Sequence, residues 1–270
     1  MLRKLIKHEL RATGRIMLPL FLLSLVTAVG ANVATRKLLE AESGFVNVIG
    51  GILLTAFVVT IAAVCIVAFG LMIQRFYKNL LQDEGYVMMT LPVSVHQHIW
   101  SKLTVSLIWF VAAGLVVVAS MLVLLFDIRL VGQFFEGFPM VWEDIVAVVR
   151  AEGTLNVLIL GVELIVLLIG GMFLSCLQFY APLSIGHSFA GRKMLMSVVS
   201  FFGIGFGMQL VNAFVASAAD ATGLAEAVFR FRGMSSVHAL MLVFIVYVLV
   251  IGAAHYFITA HFLKKRLNLE

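Results

Sequence analysis

Few residues of this chain have the type and spacing to do chemistry. Glu163 is the only acidic residue inside an apolar run long enough to cross a bilayer. A carboxylate at mid-membrane costs at least about 2.5–3.5 kcal/mol on insertion scales. It therefore marks either a translocation step or a protonated or paired helix contact, and the sequence leaves both readings open. His96 and His98 form one H-x-H pair without carboxylate or thiolate support, too little for a metal centre. His255 and His261 lie six apart and do not share a helical face. The sequence holds no HExxH, no GxSxG and no pair of intramembrane carboxylates. It also lacks GxxxxGK[ST], so this chain by itself cannot use ATP through a phosphate loop, and no enzymatic activity is expected of it.

The richest polar stretch is Arg75 to Lys102, RFYKNLLQDEGYVMMTLPVSVHQHIWSK, set between the apolar runs Val46–Ile73 and Leu103–Phe126. A connector between membrane helices needs only a few residues, and this one can hold a helix, a bend and a second helix start. Phe76, Leu80 and Leu81 fall on one helical face, and Gly85 is placed as a helix stop. Thr90-Leu91-Pro92 breaks any helix, because Pro92 lacks an amide hydrogen and restricts Leu91. Ser94 followed by Gln97 fits a capping box that restarts a helix. Partner binding needs an apolar anchor with a polar rim. Phe76, Tyr77, Leu80 and Leu81 with Lys78, Asp83 and Glu84 supply one, and a loop packed on its own helices is the alternative.

The elements that position these residues follow from composition. The chain is 62% hydrophobic and 12% charged, with mean hydropathy +1.10. A soluble domain averages about 45–50% apolar and about 25% charged residues, so the bilayer must be the solvent for most of this chain. A spanning helix needs about 20 mostly apolar residues. Six runs qualify, at about 16–34, 46–73, 103–126, 155–180, 194–218 and 237–262. The first is longer than the apolar core of a signal peptide, about 7–15 residues, and is expected to stay as an uncleaved span. Before it, MLRKLIKHELRATG spaces Leu2, Leu5, Ile6 and Leu10 as one helical face with Arg3, Lys4, Lys7 and Arg11 between them. An amphipathic helix over 1–15 lying in the headgroup layer is the expected result. Asp127–Ala151, with Phe134, Phe135, Phe138 and Trp142, is expected to form a short helix at the opposite interface. Cys65 and Cys176 lie inside apolar runs and read as two buried small hydrophobes.

Charge gives orientation. Thirteen of the 19 Lys and Arg residues fall in the N-terminal arm, the second and fourth connectors and the C-terminal tail. The odd-numbered connectors carry nine of the 14 acidic residues. The positive-inside rule then puts both termini and the even connectors in the cytoplasm. The net charge of +5 is spread over these segments and forms no single patch, so it reports topology and implies no nucleic-acid partner. The expected fold class is all-α, a polytopic protein of the cell (cytoplasmic, inner) membrane. It is one transmembrane domain over 1–270 with six transmembrane helices, an interfacial helix and a cytoplasmic coupling segment at 75–102.

The stretch RFYKNLLQDEGYVMMTLPVSVHQHIWSKL resembles the coupling region of permease subunits of bacterial ABC exporters, in the type-2 superfamily and closest to a short-chain group common in Firmicutes. LSIGHSFAGRKMLMS, between the fourth and fifth spans, is a second match, and the basic N-terminal helix and the tail KKRLNLE are similar too. The resemblance implies a pair of permease subunits, as a homo- or heterodimer, working with separately encoded ATPase subunits that bind the ATP and Mg. Contact with the ATPase would involve Phe76–Gly85 together with Gly186 and Arg192. Membrane lipids are the remaining partner. An ion-gradient-driven secondary transporter and a non-transporting membrane sensor or immunity protein are the competing readings.

Overall fold

The structure, a computed structural model, describes residues 2–38, 44–82, 84–126, 128–189, 191–223 and 233–265. Every element among them is helical: α1 (Leu2–Val33) with a π-helical turn after it (Ala34–Leu38), α2 (Gly44–Leu81), α3 (Glu84–Thr90), α4 (Val95–Leu125), α5 (Ile128–Glu152), α6 (Thr154–Gly186), α7 (Lys193–Ala221) and α8 (Met234–Lys265). All but α3 and α5 are long and apolar enough to cross a membrane, giving six candidate spans at the positions the hydropathy predicts. Their outward faces carry large apolar side chains such as Val58, Leu115, Phe202 and Phe214, each more than half exposed. Apolar surface on that scale is stable against lipid and not against water. The 38 residues of α2 rise about 57 Å against a hydrocarbon core of about 30 Å, so part of this helix stands outside it.

The chain divides into two compact units, Met1–Met72 with Thr104–Ile145 and Ile73–Leu103 with Val146–Glu270. In the first, Met17 and Phe21 of α1, Val64 and Ala68 of α2, and Trp109 and Ala113 of α4 form a buried cluster. Trp109 Nε1 donates to Thr13 Oγ1 at 2.7 Å, and Thr13 passes its own hydrogen to the Glu9 carbonyl at 2.8 Å. This chain leaves no polar atom of the indole unsatisfied. Ser24 and Ser120 join α1 and α4 at 2.8 Å, and the Asn32 amide donates to the carbonyls of Val123, Leu124 and Phe126, closing the open C-terminus of α4.

In the second unit α6 packs against both α7 and α8. Its contacts with α8 step in the same direction along both helices, Glu163 with His238 and then Gly170 with Val248, so the two run parallel. Those with α7 step in opposite directions, Gly186 with Ser197 and Phe179 with Phe201, so these two are antiparallel. Gly153, at φ 86°, sits between α5 and α6 in a conformation that glycine alone adopts freely.

Four expectations change. The lead over 1–15 is no separate element: it is the first part of α1, continuous through Pro19, and it buries Glu9, Thr13 and Gly14 against its own fold. The short helix expected in Asp127–Ala151 is 25 residues long, with Pro139 inside it; Asp127 and the side chains of Phe134 and Phe135 lie outside the described residues. Cys176 is buried as expected, whereas Cys65 is exposed on the outward, apolar side of α2. Gly85 stops no helix: α2 ends at Leu81, and the Gly85 amide donates to the Gln82 carbonyl at 2.7 Å within the first turn of α3.

Candidate functional site

The two connectors singled out by sequence meet at one end of the second unit. Phe76, near the end of α2, stacks flat on Tyr180 of α6, with ring centroids 3.8 Å apart and planes 6° from parallel. One residue on, Tyr77 meets the His187 ring edge-on at 5.3 Å. His187 follows the last residue of α6 and directs Nδ1 at the Leu183 carbonyl, 2.8 Å away. Burial holds its imidazole below its ordinary pKa; the Leu183 hydrogen bond opposes this, and the nearby Lys193 charge adds to it. A neutral ring thus locks the second connector to the fourth.

These contacts reverse the expected role of the apolar anchors. Phe76, Leu80 and Leu81 are buried, at 0%, 0% and 3% exposure. The shared helical face is real, but α6 already covers the ring of Phe76, so it cannot be the surface that meets a partner. Gly85 is buried too, Tyr77 is half-buried, and Asp83 lies outside the described residues. Lys78 and Glu84 are half exposed and pair at 3.6 Å, tying the end of α2 to the start of α3. What faces outward is the next piece of chain. Tyr86, Val87 and Leu91 are exposed by 52%, 67% and 38%. Val87 and Leu91 stand four apart, on one face of α3 and its exit.

The bend after α3 is built as the sequence predicts. The Ser94 amide donates to Gln97 Oε1 at 3.2 Å, and the Gln97 amide donates to Ser94 Oγ at 3.3 Å, a reciprocal capping box at the start of α4. His96 Nδ1 then meets the Tyr256 hydroxyl at 2.7 Å, anchoring α4 to α8. α3 is thus displayed between the end of α2 and the capped start of α4.

Gly186 and Arg192 each have a local structural role in this unit. A Cβ at Gly186 would run into the backbone and hydroxyl of Ser197, so only glycine lets α6 and α7 approach there. Arg192 is exposed and takes the left-handed conformation, φ 51°, that turns the chain into α7. Gly186→Val is expected to separate α6 from α7 and destabilise the chain by about 3 kcal/mol, read as a lower unfolding temperature in detergent; an unchanged temperature would show that this contact does not form.

Glu163 has a partner that the sequence did not disclose. Its Oε2 lies 2.8 Å from His238 Nδ1, with side-chain exposures of 8% and 17%. His238 Nε2 is buried without a hydrogen-bond partner among the described residues. Parallel packing of α6 and α8 places these two residues level, and no sequence spacing encodes that. Searches against protein-family models, curated proteins and solved structures return no match for this chain.

Proposed function

We propose that this chain is the permease subunit of an ABC exporter in the cell membrane. Both termini and the end carrying α3 are then cytoplasmic, the chain pairs with a second permease subunit, and a separate ATPase subunit supplies the energy. The observation that carries this reading is the outward strip of Tyr86, Val87 and Leu91. It is held between the Lys78–Glu84 pair and the capped start of α4. Three apolar side chains on a short helix bounded at both ends suit a docking surface with an apolar centre. Because Phe76 and Tyr77 couple the same end to α6, pressure on α3 would reach the spans as rigid-body movement. The basic arm of α1, with Arg3, Lys4, Lys7, Arg11 and Arg15 all exposed, would rest on anionic headgroups on that side.

The test is affinity purification of the chain from its native membranes. An ATPase subunit is expected to be retained, and Val87→Asp with Leu91→Asp is expected to lower its retention and its ATP turnover by about tenfold or more while leaving the unfolding temperature unchanged. Equal retention by the variant would remove α3 as the docking surface, and absence of any ATPase in the wild-type preparation would defeat the reading.

One observation favours a second reading, a carrier driven by an ion gradient. Paired ionisable groups inside a span are the usual parts of proton relays, and Glu163 with His238 is such a pair.

A further inference from the structure

An apolar groove of about 300 Å³ opens between α6 and α8. It is lined by Gly170 and Phe173 of α6, Val248, Gly252 and Tyr256 of α8, and Trp100 of α4. Glycine shapes it twice. A Cβ at Gly170 would lie 2.9 Å from Val248 Cγ1, so this glycine sets the close approach of the two helices. A Cβ at Gly252 would meet nothing within 4 Å and would stand in the open groove.

Phe257 lines this groove and also a second recess beside it, whose walls include His96, His261, Lys264 and Lys265. The two share that wall, the groove lined by apolar side chains and the recess flanked by basic ones. No acidic side chain lines either among the described residues. The hydrogen bond from His96 to Tyr256 marks the junction, and Trp100 packs edge-on against Phe173 beside it. Trp and Tyr favour the level where hydrocarbon gives way to headgroups.

The length of the groove along α8 matches one leaflet. From Val248 to Phe257 the axis of α8 rises about 14 Å, and half of a hydrocarbon core of about 30 Å is about 15 Å. We propose that the groove and the basic recess together hold one anionic phospholipid. An acyl chain lies along Gly252 between α6 and α8, and its phosphate sits against Lys264, Lys265 and His261. A zwitterionic lipid has the tail but carries no net charge to meet two lysines, so the recess selects the anionic headgroup. This proposal rests only on residence in a membrane, and its failure leaves the ATPase reading intact, since that reading rests on α3.

The experiment is native mass spectrometry of the purified chain titrated with phosphatidylglycerol, with phosphatidylcholine of the same chains, and with glycerol phosphate. Each lysine near an anionic lipid contributes about fivefold, so phosphatidylglycerol is expected to bind about 30-fold more tightly than phosphatidylcholine. Glycerol phosphate, which has no tail, is expected to give no adduct. Lys264→Ala with Lys265→Ala should reduce phosphatidylglycerol to the level of phosphatidylcholine. Gly252→Leu should weaken both lipids by about tenfold or more, with the unfolding temperature kept. Equal binding of the two lipids, or undiminished binding by Gly252→Leu, would overturn the proposal. Tight binding of glycerol phosphate alone would also overturn it, by showing an anion site without an acyl groove.

Discussion

Replacing Phe76 and Leu80 with alanine is expected to unfold the second unit at the end where its two connectors meet, and not merely to release a partner. Both side chains are fully buried, and Phe76 lies flat on Tyr180 at 3.8 Å. Truncating a buried Phe costs about 3–5 kcal/mol and a buried Leu about 2–5 kcal/mol, because the cavity left behind relaxes only in part. The residues sit one helical turn apart, so the losses overlap, and about 5 kcal/mol is a fair sum for the double variant. That is a third or more of the stability of an ordinary domain, about 5–15 kcal/mol. Thermal unfolding in detergent should show a transition displaced far downward, with aggregation on heating. Val87→Asp with Leu91→Asp changes only exposed positions and serves as the control. A Phe76→Ala, Leu80→Ala chain that unfolds like the wild type yet loses the proposed ATPase would return these residues to the docking surface.

The contrast between these two pairs of residues shows where sequence is informative. Spacing at 76, 80 and 81 marks an apolar helical face, but periodicity records that a face is covered and is silent on what covers it. The covering ring, Tyr180, lies about a hundred residues away on another helix. The six spans were legible because the bilayer sets their length and polarity, and both are local properties. The capping box at Ser94 and Gln97 was legible because its two hydrogen bonds join residues three apart. Gly85 misled for the converse reason. A glycine after a polar turn fits a helix stop, and here it fits the close entry into α3 as well. Gly186 stood out only through a resemblance, while its physical necessity, the approach of Ser197, depends on how α6 and α7 pack. Of the intramembrane pair, Glu163 was conspicuous as a lone acid in an apolar run; His238, near the start of α8, carried no such signal, because its depth relative to Glu163 is fixed by helix packing alone.

That packing makes the second large prediction a matter of coupling between two positions. Glu163→Leu should leave His238 Nδ1 buried beside a leucine, with Nε2 already lacking a partner. An orphaned buried polar group costs about 1–3 kcal/mol, so this single variant should be clearly less stable than the wild type. His238→Leu should strand the carboxyl in the same way. The double variant removes both polar groups and fills the site with apolar atoms, and such replacements of a buried pair are commonly neutral or stabilising. The expected pattern is two destabilised single variants and a double variant near the wild type, a coupling of about 1–2 kcal/mol, the upper range for hydrogen bonds between membrane helices. Additive losses would mean that α6 and α8 do not meet here. Transport then separates the two functional readings. Glu163→Gln keeps the shape and can still accept a hydrogen from His238, but it cannot exchange a proton. Under the exporter reading its transport remains tied to ATP and its pH profile is that of the wild type. Under the ion-driven reading the same variant loses accumulation against a gradient while still binding cargo, because the step removed is the one that releases the proton.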